Sequence, residues 1–116
     1  MIYYRNVPYE CHTEISLALI SGKWKSLILW YIYLSPAKTL RFNDFRRRLP
    51  RITQKVLTQQ LKELEEDKII VRKTYNEMPP RVEYSFSTSG QRLIPVLQLL
   101  ADWGEDHKNY AAEQAT

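Results

Sequence analysis

Residues 51–67 of the chain, RITQKVLTQQLKELEED, predict a helix with two opposed faces. Thr53 is the expected N-cap, because its hydroxyl can accept a hydrogen bond from an amide of the first turn. The apolar residues then recur at about 100° per residue on one side. They are Val56, Leu57, Leu61 and Leu64. The opposite side is polar and carries Lys55, Thr58, Gln59 and Lys62.

The charges along this segment follow an unusual order. Its cations lie toward the helix N-terminus, and Glu63, Glu65, Glu66 and Asp67 collect at the other end. The helix macrodipole disfavours acids at a C-terminus, so helix stability alone does not explain this order. It suits a helix whose N-terminal half approaches a polyanion. The alternative is an ordinary surface helix with a solvated polar face.

Length and composition bound the class of protein. The chain has 116 residues, of which 44% are hydrophobic, enough for one domain with a core. The longest apolar run, residues 27–34, is far shorter than the roughly 20 residues of a membrane span. The start lacks the apolar stretch of a signal peptide, and Cys11 is the single cysteine. We therefore expect a cytoplasmic protein that makes no use of a membrane.

The net charge of +4 is unevenly distributed. Between residues 38 and 55, seven basic residues stand against one acid, Asp44. Residues 102–116 hold four acids and one basic residue. A localised basic zone is typical of nucleic-acid binding, although a solubilising surface would have a similar composition.

The N-terminal half of the chain predicts an arm and two helices. Residues 1–11 show no clear period and predict an irregular arm, whose tyrosines should pack on the domain or on a partner subunit. Residues 13–21 predict a first helix, capped by Thr13 or His12, with Gly22 in the left-handed position that follows it. Residues 24–34 are apolar nearly all round and predict the central core helix.

The middle of the chain predicts the remaining parts of a DNA-binding fold. Residues 39–41 read as a short strand or a lead-in, and Phe42, Phe45 and Leu49 recur at helical spacing. That short third helix, the tight link at Pro50 and the Thr53 helix make a helix-turn-helix pattern. Residues 69–75 and 82–87 then predict an antiparallel hairpin. In the second strand, apolar residues alternate with polar ones, which is typical of a strand buried on one face.

Residues 88–112 predict the last helix, started by a capping-box spacing from Thr88 to Gln91 and bent at Pro95. Its apolar stripe is longer than a small domain needs, and an uncovered apolar side is typical of a dimerisation helix. The alternative, above all for the first half of the helix, is that it folds back on its own core. The whole order predicts a mainly α fold with a small antiparallel β wing. This is a winged helix-turn-helix domain spanning residues 1–116, with N- and C-terminal dimerisation helices (13–21 and 88–112). Such domains place the second helix of the motif in the major groove.

Several segments of the chain resemble one family of bacterial regulators. They are GKW (22–24), RFNDFRR (41–47), LTQQLKELE (57–65), PPRVEY (79–84) and DWG (102–104). In this order and spacing they resemble the HxlR family of transcriptional regulators. The resemblance implies a homodimeric winged-helix protein that binds double-stranded DNA as a repressor or activator and dimerises through its first and last helices.

The expected dimer contacts are Ile15, Leu19, Leu97, Leu100 and Trp103. Cys11 matches a cysteine through which some members sense electrophiles or oxidants, so an electrophile or small-molecule effector is expected as a partner. An ordinary semi-buried thiol is the alternative for Cys11.

The predicted DNA contacts fall into two groups. Those expected to face the groove are Thr53, Gln54, Lys55, Thr58, Gln59 and Lys62. Those better suited to phosphates are Arg41, Arg46, Arg51, Arg72, Lys73 and Arg81. Which of the three consecutive arginines, Arg46 to Arg48, faces DNA stays open. Arg81 could instead brace the wing beside Glu83.

Other chemistries have weaker support. His12 and His107 lack the spacing of a metal site, no cofactor motif is present, and no catalytic motif indicates an enzyme. The aromatics of the second helix, together with Trp103, could line an effector pocket or simply fill the core. The strongest rival function is a winged-helix module that binds protein without sequence-specific DNA binding.

Overall fold

The computed structural model describes residues 1–115. A two-stranded hairpin comes first, formed by β1 (Ile2–Tyr4) and β2 (Val7–Tyr9). Four helices follow, with one short strand among them: α1 (His12–Ile20), α2 (Lys25–Leu34), β3 (Thr39–Leu40), α3 (Phe42–Arg48) and α4 (Gln54–Glu66). The chain continues through β4 (Ile70–Tyr75), β5 (Arg81–Phe86), α5 (Thr88–Gln91) and α6 (Ile94–Gln114).

The core is centred on α2, as its all-round apolar character predicts. Ile28, Leu29 and Ile32 are fully buried there, where α2 packs against α1, α3, α4 and α6. Phe45 of α3 and Leu57 of α4 are also at 0% exposure. Burial of such side chains is the main term that holds the helices together, at about 1.5–3 kcal/mol each.

The second sheet is antiparallel and has the strand order β3-β5-β4. The predicted short strand at Thr39–Leu40 pairs with Ser85 and Tyr84, and the wing strands pair from Ile70–Phe86 to Tyr75–Arg81. Because β5 is the middle strand, residues 82–85 are all half-buried. The expected division of the strand is therefore wrong: Val82, Tyr84 and Phe86 were to be buried on one face, with Glu83, Ser85 and Ser87 exposed on the other.

The predicted irregular arm is also wrong, since residues 2–9 form a hairpin. Arg5 and Asn6 join its strands with φ of +51° and +65°, the backbone of a type I′ turn. Asn tolerates this region, but Arg5 gives no sequence signal for it. The first helix starts at His12, one residue earlier than expected, with Cys11 as N-cap and no side-chain capping bond.

The single helix expected for residues 88–112 is two helices. Ser87, rather than Thr88, caps α5 by accepting a hydrogen bond from the Gly90 amide at 2.9 Å. The helix then breaks, and Pro95 lies in the first turn of α6. Proline has no amide to donate and is tolerated there because first-turn amides have no helical partner. Pro95 thus marks a new helix rather than a bend.

Candidate nucleic-acid interface

Two apolar residues of the turn between α3 and α4 are buried in the core and so fix the turn in place. Leu49 and Ile52 are buried, and the Ile52 amide donates to the Leu49 carbonyl at 3.0 Å. Between them, Pro50 and Arg51 are exposed. Thr53 then caps α4 as predicted, its hydroxyl accepting from the Val56 amide at 3.1 Å. The helix-turn-helix geometry is thus encoded locally.

The polar face of α4 is exposed along its N-terminal three turns. Leu57, Leu61 and Leu64 are buried on the opposite face, which confirms the predicted division of this helix. The exposed residues include every predicted groove-facing residue: Thr53, Gln54, Lys55, Thr58, Gln59 and Lys62.

Two of the acids at the C-terminal end of α4, Glu63 and Asp67, have specific partners. Glu63 accepts hydrogen bonds from Lys25 and from Gln59, each at 2.7 Å. The bond from Lys25, followed by that from Gln59, lowers the pKa of Glu63 below its ordinary value. Asp67 accepts from the Tyr4 hydroxyl at 2.9 Å and from the Arg5 guanidinium at 3.0 Å. These cations and donors offset the unfavourable interaction of the two acids with the helix macrodipole. They give a structural reason for acids at this end of α4, which helix stability alone did not explain.

The basic residues before α4 differ in their surroundings. Arg47 pairs with Asp44 within α3 although its side chain is 70% exposed, and Arg46 and Arg48 are exposed as well. Arg41 is also exposed, and its Nε lies 4.0 Å from Glu83 of the wing.

The wing residues fall into two kinds. Arg72 and Lys73 are exposed on β4, where Arg72 donates to the Thr74 hydroxyl at 3.2 Å and Lys73 lies over the Tyr75 ring at 4.7 Å. Arg81 is only 28% exposed, and its guanidinium lies 3.9 Å from the centre of the Tyr75 ring. It also lies 3.5 Å from Glu77 and from Glu83. These contacts match the alternative in which Arg81 braces the wing.

The residues expected at a dimer contact are also divided. Ile15 and Leu19 are half-buried on α1, and Leu97 is buried in the core of its own chain. Because its own core covers it, Leu97 is not available to a second copy, which corrects its assignment. Leu100 and Trp103 are 51% and 65% exposed on α6.

Leu99 and Tyr110, which are not among the residues predicted from the sequence, are 68% and 59% exposed on the same helix. Trp103 stacks on His107 at 4.8 Å, and Tyr110 follows His107 at 6.1 Å. Leu99, Trp103, His107 and Tyr110 follow one another at intervals of three or four residues, which places them on one face of the helix. This spacing could have indicated the exposed stripe from the sequence.

Cys11 is exposed at the N-terminus of α1 and forms no disulfide. Trp24, Trp30, Tyr31 and Tyr33 are partly buried and pack against the core, as the core alternative for these aromatics requires. Within residues 1–115, His, Cys, Asp and Glu form no group of three that could hold a metal ion. No helix in that part of the chain combines the length and the apolar character needed to cross a membrane.

Comparisons with known proteins agree with this geometry. The family described as HxlR-like helix-turn-helix matches residues 19–112. The HTH-type transcriptional regulator YdeP of Bacillus subtilis (strain 168) is 46% identical over 109 residues, which cover 93% of this chain and 83% of that protein. The regulator YkvN of the same organism is 42% identical over 106 residues, covering 91% and 84%.

A solved structure gives the same result in three dimensions. The redox regulator HypR in its reduced form superposes with a TM-score of 0.80 at 40% identity, over 87% of this chain and 97% of that one. Its oxidised form gives a TM-score of 0.76 at 43% identity, over 83% and 96%. With a matching family, matching relatives and a matching winged-helix structure, this chain belongs to the HxlR-like helix-turn-helix family of transcriptional regulators.

Proposed function

We propose that this protein regulates transcription as a homodimer that places α4 of each subunit in the major groove of operator DNA. The observation that carries the proposal is the exposed polar face of α4, with Lys55, Gln59 and Lys62 on one side of a helix whose other side is locked in the core. The major groove admits an α-helix, and amide and ammonium groups read base edges there.

The phosphate contacts are assigned to basic residues on both sides of α4. Arg41, Arg46 and Arg51 lie before the helix, and Arg72 and Lys73 lie on the wing. All five side chains are exposed. Phosphate contacts set the affinity and the register of the protein but carry no sequence information. Arg81 is a weaker candidate, since its guanidinium already lies between Glu77, Glu83 and Tyr75.

The dimer is assigned to α6 and α1. Leu99, Leu100, Trp103 and Tyr110 expose large apolar side chains along α6, and Leu17 does so on α1. Apolar surface of this extent on a small domain favours association with a second copy. Two recognition helices in one dimer would then read two half-sites.

Thiol oxidation is the proposed signal. The support is the exposed position of Cys11 and the name of a similar protein, the redox regulator HypR. Since the chain has one cysteine, a disulfide of Cys11 must join two chains or a chain and a small thiol. Either product would change the N-terminus of α1, next to the proposed dimer contact.

The test is DNA binding by the purified protein to a selected duplex and to a scrambled one, at two salt concentrations. The proposal expects tight, sequence-dependent binding that loses on the order of 10³-fold in affinity between about 50 and about 200 mM salt. Binding without sequence preference would contradict it. In that event, the wild type is compared with a Lys55→Ala, Gln59→Ala double variant. If the wild type binds a protein partner and the double variant does not, the protein-binding module is supported.

The redox part is tested separately with diamide. Oxidised wild type should lose affinity for the selected duplex, and reduction should restore it. Cys11→Ser should bind like the reduced wild type with and without diamide. If the wild type is equally insensitive, Cys11 is structural and another effector must be sought.

A further inference from the structure

The carboxylate of Glu63 connects two helices through its two oxygens. Oε1 lies 2.7 Å from the ammonium of Lys25, in the first turn of α2. Oε2 accepts a hydrogen bond from Nε2 of Gln59, one turn earlier on α4, at 2.7 Å. The Lys25 side chain is only 13% exposed, so the cation is fixed in place by the fold. Lys25 thereby holds Glu63, and Glu63 holds Gln59.

This chain of contacts decides the orientation of the Gln59 amide. An ionised carboxylate only accepts hydrogen bonds, so the amide must turn its NH₂ group toward Glu63. The second N–H of Gln59 and its oxygen Oε1 are then left for another partner. One donor beside one acceptor is the pair that adenine matches in the major groove, through N7 and the N6 amino group.

We infer that Glu63, held by Lys25, is a positioning residue that makes Gln59 select adenine. The inference rests on the proposed function, because it needs α4 to lie in the major groove. In this account Glu63 does not touch DNA, and its contribution appears as a base preference rather than as affinity. If Glu63 were only part of a stabilising surface pair, its loss would leave the base preference unchanged.

The variant Glu63→Gln separates these two roles. A glutamine at this position has the same shape but only one accepting oxygen, which the ammonium of Lys25 should retain because charge-assisted bonds are stronger. Its NH₂ group would then face Gln59, and Gln59 would have to reverse its amide in order to accept. The reversed amide presents its own NH₂ to the groove. Two donors suit guanine, whose N7 and O6 are both acceptors.

The experiment is selection of binding sites from a randomised duplex library, with sequencing of the bound pool. Wild type, Glu63→Gln, Gln59→Ala and the double variant are compared. Gln59→Ala should flatten the preference at one base pair of each half-site by at least about fivefold, which identifies the position read by Gln59. At that position, Glu63→Gln should move the preference from adenine toward guanine. The double variant should match Gln59→Ala alone.

Glu66→Gln is the matched control, because it removes the same charge from an exposed position in the last turn of α4. It should leave the selected motif unchanged. Thermal unfolding checks that each variant is folded. If Glu63→Gln does not fold, Lys25→Met is used instead. That variant frees Glu63, and it should lower the adenine preference by at least about twofold, a fraction of the full discrimination.

Two results would overturn the inference while leaving the proposed function intact. One is a wild-type motif that Gln59→Ala does not change at any position. The other is a folded Glu63→Gln variant, or Lys25→Met in its place, with the wild-type base frequencies. A wild type that selects no motif would instead contradict the proposed function itself.

Discussion

The Tyr4 hydroxyl donates a hydrogen bond of 2.9 Å to the Asp67 carboxylate, which joins the N-terminal hairpin to the C-terminal end of α4. The Arg5 guanidinium contacts the same oxygen at 3.0 Å. Residues 2–9 precede the part of the chain that the family matches, residues 19–112. The hairpin therefore lies outside the residues that the family matches, and it contacts the C-terminal end of the proposed recognition helix through Asp67. Cys11 follows the hairpin by two residues.

Tyr4→Phe should destabilise the protein by about 1 kcal/mol, the usual net worth of a hydrogen bond, because Asp67 is 15% exposed and loses its neutral donor. Urea unfolding followed by circular dichroism gives the free energy. Tyr3→Phe is the matched control, since Tyr3 is 68% exposed on the same strand. Equal losses in the two variants would show that the Tyr4–Asp67 bond contributes nothing.

Stability should fall in alkali through the same contact. Burial, and then the hydrogen bond to Asp67, raises the pKa of Tyr4 above its ordinary value of 10.0. The folded state therefore favours the neutral phenol. The resulting stabilisation is complete at pH values below the pKa of Tyr4 in the unfolded state. It is lost as the pH rises through the pKa of Tyr4 in the folded state.

Wild type should accordingly lose more unfolding free energy than Tyr4→Phe between about pH 9 and about pH 11. Parallel curves for wild type and Tyr4→Phe would contradict the raised pKa. Denaturant unfolding at a series of pH values provides the measurement.

Gly90→Ala should be among the most damaging small substitutions in the chain. A Cβ on Gly90 would overlap the carbonyl oxygen of Ile69, a backbone atom that cannot move aside freely. We expect a loss of about 1–3 kcal/mol or more, as for other overpacked sites. Gly104→Ala is the control in α6, where a Cβ meets no atom within 4 Å. It should gain up to about 1 kcal/mol from helix propensity. Thermal unfolding that ranks the two in the opposite order would refute this account.

Trp103→Ala should weaken the proposed homodimer. The indole is 65% exposed in the single chain, and a buried tryptophan is a frequent anchor of protein interfaces. We expect the dimer dissociation constant to rise at least about tenfold, as measured by sedimentation velocity. Val71→Ala, an exposed apolar residue on the wing, should leave it unchanged. An unaltered dimer in Trp103→Ala would move the interface away from this part of α6.

Arg72→Ala should weaken binding to all duplexes alike and reduce the slope of log affinity against log salt by about 1. The reason is that Arg72 is exposed on the wing and donates only to a hydroxyl, so it is available to a phosphate. Arg92→Ala is the control. Arg92 and Asp67 line one cleft, and Asp67 lies at the end of α4 opposite to the groove-facing turns. Fluorescence anisotropy across a salt series measures both. A changed base preference in Arg72→Ala would contradict a phosphate role.

Local patterns in the sequence were sufficient for the helix-turn-helix and the wing. Thr53 caps α4 and the leucines of α4 are buried as expected, since both depend on contacts within a few residues or on the helical period. The exposed positions of the predicted groove-facing residues follow from the same period. Their contacts with DNA stay predictions.

Long-range contacts decided the rest. The sequence around Arg5 did not predict the hairpin turn. In the structure the Arg5 guanidinium contacts Asp67, which lies 62 residues along the chain. Arg81 is an exception, since its partners Glu77, Glu83 and Tyr75 lie in the same wing hairpin. They match the alternative, already open from the sequence, in which Arg81 braces the wing. Leu97 and Trp103 share a helical stripe, yet Leu97 is buried in the core and Trp103 is exposed.

The sequence by itself thus determined the helix-turn-helix, the wing and the division of α4 into an apolar and a polar face, because spacing along a helix or strand sets these. It did not determine the N-terminal hairpin or the break between α5 and α6. The tertiary structure alone decided which charged groups are already paired and which apolar groups are already covered. Burial in the core, and pairs such as Tyr4–Asp67 and Lys25–Glu63, join residues far apart in the chain. Such residues come into contact only once the core around Ile28, Phe45 and Leu57 has formed.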